Sequence, residues 1–223
     1  MDIGVFKCFR RYFDPMALLL LEENDIPERW SLPQHVLDIW NRTQPEKGWG
    51  ISQHLEQIRK LFRENTIGTI LSGIESLLQD RNWRLHLLAA VATMFLDEES
   101  STKICDKLWQ VIHEDSLVSP QLLVVLSKKD HRFLLRGKRI LYSDLPIVKV
   151  QGIGIPENIY NEKKDLPDDL RKKELKEDYE VRSALKYLIL GTVDQSSEGY
   201  GGRKAKEWNE KLEELVKKKA FSL

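Results

Sequence analysis

Apolar residues recur through the middle of this chain at helical spacing, and one stretch breaks the rhythm by being apolar almost throughout. In "ISQHLEQIRKLFREN", Ile51, Leu55, Ile58, Leu61 and Phe62 fall on one stripe of an amphipathic helix. "TIGTILSGIESLLQ" repeats the pattern with Ile67, Ile70, Leu71, Ile74, Leu77 and Leu78. Then comes "DRNWRLHLLAAVATMFLDEES", where only Thr93 is polar between Leu87 and Leu96. A helix this apolar needs burial on nearly all sides. "TKICDKLWQVIHED" returns to a single stripe with Ile104, Cys105, Leu108, Val111 and Ile112.

Upstream, Asp14-Pro15 and Ser31-Leu32-Pro33 each read as a cap followed by a first-turn proline, predicting short helices through Glu23 and near 34–42. Downstream the period weakens. "FLLRGKRILYSDLPIVKVQGIGIP" carries β-branched residues with Gly and Pro punctuation, which predicts short strands at Arg139–Tyr142 and Ile147–Gln151, arranged as a hairpin. "LPDDLRKKELKEDYEVRSALKYLIL" predicts a helix that is charged early and apolar late. "GTVDQSSEGYGG" has the composition of a flexible linker. A last amphipathic helix follows, with Ala205, Trp208, Leu212, Leu215 and Val216 on one face.

Shifting the helix at 67–79 by about 34 residues brings its apolar positions onto those of the helix after 101. Ile70 then meets Ile104, Leu71 meets Cys105, Ile74 meets Leu108, Leu77 meets Val111 and Leu78 meets Ile112. The following helices match as well, "LAAVA" at 88–92 pairing with "LLVVL" at 122–126. "ESLLQDRNWRLHLLAAVATMF" resembles a HEAT-like, armadillo-type repeat, with Asp80 in the turn and Ala89 and Ala92 where the second helix packs closely. The second copy keeps an aspartate, Asp115, and sets Pro120 near its second helix start. It departs from the pattern in having Gln121, as the first has His86, where such repeats often carry arginine. The resemblance covers roughly residues 50–130. It implies a mainly α fold of stacked antiparallel helix pairs, an α-α superhelix, interrupted by the short hairpin-like excursion near 139–151. The expected organisation is a helical-repeat array over 1–135 and a C-terminal extension over 136–223 packing on it as one domain.

Composition narrows the chemistry. Thirty-five Lys and Arg balance thirty-five Asp and Glu, a poor match to a protein dedicated to wrapping nucleic acid. Two distant cysteines, Cys8 and Cys105, build no disulfide framework, and the expected setting is a reducing cytoplasm. "MALLLLEE" is too short for a signal peptide core, and no run reaches the ~20 apolar residues that span a bilayer.

The candidate sites are few. Lys128, Lys129, Arg132, Arg136, Lys138 and Arg139 form a basic run whose one acid is Asp130. Trp49, in the loop "EKGWG", is either a plug under that loop or an interface anchor, since Trp is enriched at binding hot spots. "SSEGYGGRK" lacks a P-loop ending, and "QGIGIP" is no dinucleotide fingerprint. No HExxH occurs among the five histidines, and Cys105 reads as a small hydrophobe on its apolar face. Neither a catalytic residue, a cofactor nor a metal site is expected. A helical array offers a continuous binding face, so the expected function is a protein–protein interaction module, an immunity-type inhibitor or accessory subunit being one form. The alternative is a nucleic-acid-binding array using the basic run at 128–139. A third class, an enzyme, would require a deep polar pocket holding His113, His131 or Asp144.

Overall fold

The computed structural model describes residues 4–9, 18, 19, 21, 50–114, 116–142, 168–196 and 199–223, with the backbone alone at 8 and 168–178. Among these residues there is helix and no strand. A 3-10 turn at Gly4–Cys8 precedes α1 (Ile51–Glu64), α2 (Ile67–Gln79), α3 (Trp83–Thr93) and α4 (Glu98–His113). Then follow α5 (Ser119–Lys129), α6 (Phe133–Leu141), α7 (Asp168–Leu190) and α8 (Tyr200–Lys217). The chain divides into two compact units, one of residues 1–104 with 210–223, the other of residues 105–209.

In the first unit the expected stripes are largely the buried faces, except that Ile67 is exposed and Phe62 and Leu71 are half-buried. Ile51, Leu55, Ile58 and Leu61 face the core from α1, with Ile70, Ile74, Leu77 and Leu78 from α2. Each helix starts where its sequence supplies a partner for an unpaired N–H. Thr66 accepts from the Thr69 N–H, and Asn82 from the Arg84 N–H. Before α1, the Gly50 N–H donates to Gln53 Oε1 at 2.9 Å. Helix α3 is buried from Leu85 through Thr93, as its unbroken apolar run requires, and Thr93 returns its hydroxyl to the Ala89 carbonyl at 2.8 Å. Ala89 has no solvent exposure. Ala89→Leu therefore overpacks this helix and should lower stability by about 1–3 kcal/mol in a urea titration. Gly73 admits the 3-10 turn, because a Cβ there would lie 2.9 Å from Val5 Cγ2 and 3.1 Å from the Phe6 ring.

The end of the chain is held in the same unit. Arg59 donates from Nε to the Ser222 carbonyl at 2.9 Å and from Nη2 to the Ala220 carbonyl at 2.7 Å. Phe221 meets Phe95 edge-on at 5.3 Å, and Phe62 lies 5.5 Å from the same ring. Helix α8 stops in a left-handed residue, Lys219, where the Ala220 N–H reaches back to Leu215 and the Lys219 N–H to Val216. Val216, expected on the inward stripe, is exposed, while Ala205, Trp208 and Leu212 are buried.

In the second unit α5 is buried from Ser119 to Leu126 and packs on α7 and α6, which also pack on each other. Two sequence expectations change here. Arg139–Leu141 are the last turn of α6 and Tyr142 is a turn residue, so the first strand of the expected hairpin is helical; Ile147–Gln151 lie outside the described residues. The reason is local: Asp130 starts α6, and Phe133, Gly137 and Ile140 then recur at helical spacing on its inward side. The linker expectation also changes. Tyr200, Gly201 and Gly202 form the first turn of α8. A Cβ on Gly201 would fall 1.9 Å from the Glu180 carbonyl oxygen, and one on Gly202 would fall 2.8 Å from Ser183 Oγ. The Gly202 N–H donates to that same hydroxyl at 2.9 Å. The glycines let α8 lie against the α7 backbone. Ahead of them, Arg203 donates to the carbonyls of Asp194 and Ser196 at 3.0 and 2.8 Å. The Ser196 N–H binds the Asp194 carboxylate and holds its pKa below the usual aspartate value.

Candidate interaction surface

The basic run spans the end of α5, a short turn and α6, and a single aspartate organises it. Asp130 closes α5 with its N–H on the Leu126 carbonyl. Its side chain is only 2% exposed. Oδ1 accepts the Arg132 N–H at 2.9 Å, and the Asp130 carbonyl accepts the Phe133 N–H, so one residue ends a helix and starts the next. Oδ2 accepts the Trp109 indole N–H at 2.8 Å and lies 3.6 Å from Arg136 Nη1. Trp109 in turn stacks on Phe133, ring centroids 6.0 Å apart. Burial of a carboxylate is costly unless such partners surround it.

The six cations separate into three pairs with different roles. Lys128 and Lys129 sit in the last turn of α5, where positive charge suits a helix C-terminus, and both engage other groups. Arg132 and Arg136 turn to Asp106 Oδ1, at 3.4 and 2.6 Å. Lys138 and Arg139 are exposed on α6, and neither takes part in an ion pair among the described residues. Trp49 lies outside the described residues. The run is thus no continuous cationic stripe: its middle pair is spent on acids of the same unit.

Helix α6 itself is fixed along its length. A Cβ on Gly137 would meet Ile189 Cδ1 at 2.7 Å, which shows how closely α7 approaches. Arg182 Nη1 donates to the carbonyls of Ile140 and Leu141 at 2.9 and 3.2 Å, satisfying the open end of the helix. With Phe133, Arg136, Gly137 and Ile140 turned inward, a step of about 100° per residue puts Leu134, Leu135, Lys138 and Arg139 on one outward arc of about 140°. On it stand Leu134, 57% exposed, and Leu135, 73% exposed, with Lys138 and Arg139 beside them; Tyr142, 69% exposed, follows in the turn that ends the helix, and His131 is exposed in the turn before it. The leucines and the tyrosine were not singled out from the sequence. The signal for them was the α6 period itself, which the strand reading concealed.

The other chemical candidates are quiet. Burial, reinforced by the nearby Asp130 charge, pushes the Cys105 thiol up to about 12, so it stays protonated and packs as a hydrophobe. Among the described residues no group of three or more His, Cys, Asp or Glu could hold a metal ion. His86 Nε2 is bound to the Asp80 carbonyl at 2.6 Å, and His54 Nδ1 to the Gly50 carbonyl at 2.8 Å with its ring beside Phe9. His131 is exposed, and Asp144 lies outside the described residues. No described helix is long and apolar enough to cross a membrane. No family model, curated protein or solved structure matches the chain.

Proposed function

We propose that this chain is a protein–protein interaction module that engages its partner through the outward face of α6. The observation that carries the reading is the composition of that face: three large, well-exposed apolar side chains set among Lys138 and Arg139 on a helix anchored from behind. Exposed apolar side chains grouped with charge on one helix face are what an interaction site presents. Interfaces also favour aromatic and arginine anchors. The anchoring by Asp130, Gly137 and Arg182 means that little ordering cost falls due on binding. An inhibitor or accessory subunit would work in this way, by covering a partner with a rigid face.

The HEAT-like arrangement is part of the same proposal. It is supported by the matching burial of the repeat positions, Ile70 with Ile104, Ile74 with Leu108, Leu77 with Val111 and Leu78 with Ile112. Asp80 at the α2–α3 turn adds to it, accepting the Asn82 N–H at 2.9 Å. The nucleic-acid alternative draws less support. Two of its six cations are turned to Asp106, and leucines occupy the places where phosphate contacts would be useful.

The test is comparative capture from the native host with the wild-type chain, a Leu134→Glu/Leu135→Glu variant, and, as a charge control, a Lys211→Glu variant in α8. Because both leucines are exposed, the double variant should keep the wild-type melting temperature. The expected result is one or more proteins retained by wild type and Lys211→Glu and lost by the double variant. Retention of every captured protein by the double variant would contradict the assignment. Titration of a labelled DNA duplex at low and high salt addresses the alternative, and no binding at low salt is expected.

A further inference from the structure

The chemistry of the α6 face also specifies what fits it. This inference rests on the interaction-module reading and names the class of partner. We infer that the face receives an acidic amphipathic α-helix, whose apolar stripe covers Leu134, Leu135 and Tyr142 and whose carboxylates meet Lys138 and Arg139.

Three observations select this occupant. First, among the described residues the charges on the outward side of α6, Lys138 and Arg139, are of one sign, while Asp106 and Asp130 are engaged by Arg132, Arg136 and Trp109. A complementary surface is therefore acidic. Second, Leu134, Lys138 and Tyr142 follow one row along the helix, with Leu135 and Arg139 on the next. Apolar and basic positions thus alternate at helical spacing on the two rows. A second helix laid along them can match ridge to groove while its acids flank its leucines. Third, α6 is a helix and offers no edge for strand addition, and Arg182 takes up the carbonyls of Ile140 and Leu141 at its open end. Side chains must do the recognising. An anionic bilayer is the competing surface, but two leucines and one tyrosine on a nine-residue helix insert little apolar area. Even a single myristoyl chain gives only marginal, reversible membrane binding.

The inference is tested with fluorescein-labelled model peptides rather than an unidentified ligand. One is a helical peptide of about 14 residues with a leucine stripe flanked by glutamates; another has lysine at every glutamate position. Fluorescence anisotropy should show the acidic peptide binding the full chain and the basic peptide binding at least about tenfold more weakly. Lys138→Glu/Arg139→Glu should invert that preference, and Leu134→Ser/Leu135→Ser should remove binding of both. Inversion of charge preference is a readout that loss of folding cannot imitate. Three results would each overturn the inference: equal binding of both peptides to the wild-type chain, acidic binding that survives the Leu→Ser pair, or tighter binding to phosphatidylserine vesicles than to the acidic peptide. If host capture yields a leucine-dependent partner while the peptides fail, the partner chemistry is wrong and the module stands. If both fail, the module reading itself falls.

Discussion

Gly201→Ala should cost about 3 kcal/mol or more, because the methyl group it adds meets helix backbone. The added Cβ would sit 1.9 Å from the Glu180 carbonyl oxygen and 2.7 Å from its Cα, both backbone atoms of α7. A flexible side-chain tip can swing aside, but a helix backbone cannot, so α8 must move off α7 and surrender the Gly202–Ser183 hydrogen bond. The penalty therefore exceeds ordinary overpacking. Gly68→Ala is the matching control. A Cβ there meets nothing within 4 Å, and alanine in an exposed helix is favoured by roughly 0.5–1 kcal/mol. Paired urea titrations should move the two midpoints in opposite directions. A Gly201→Ala midpoint equal to wild type would mean that the two helices do not approach at this point.

Asp130→Ala should cost about 2–4 kcal/mol, the second large effect. The substitution strands the buried Trp109 indole N–H, leaves Arg136 with Asp106 alone, and removes the acceptor for the Arg132 N–H at the start of α6. Each loss has a known scale: an orphaned buried donor, a broken ion pair with a buried member, and a missing cap. Asp130→Asn separates the contributions, since the amide oxygen still accepts a hydrogen bond while the charge is gone. It should fall between wild type and Asp130→Ala in thermal melting. Trp109 fluorescence should report the change directly, because the indole would lose its hydrogen bond to the carboxylate and its stacking on Phe133 would loosen. Full stability in Asp130→Ala would show that the carboxylate does not organise the turn.

These two sites also show where the sequence was readable and where it was not. Helices α1 to α4 were legible because their apolar residues form unbroken stripes, and α3 because its run of nine buried residues has no polar face to leave in water. Helix α6 was misread because its inward side contains Arg136 and Gly137. Its apolar period is carried by only Phe133 and Ile140, while the leucines that look like core point outward. Gly199, Gly201 and Gly202 read as part of a linker because composition reports flexibility and cannot report what lies opposite. The atom that demands Gly201 belongs to Glu180, about a score of residues earlier in the chain. The same is true of Asp130, whose indole partner is 21 residues away. The basic run was found as a run, but its division into inward and outward cations depends on Asp106, which no local pattern connects to Arg132 and Arg136.

The central claim, that the outward face of α6 meets a protein, is tested most directly by site-specific photo-crosslinking in the native host. Benzoylphenylalanine placed at Leu135 should crosslink to a discrete protein band, and the same group at Thr69, exposed on α2, should not. Identical crosslinking from both positions, or crosslinking from Leu135 to nucleic acid alone, would contradict it.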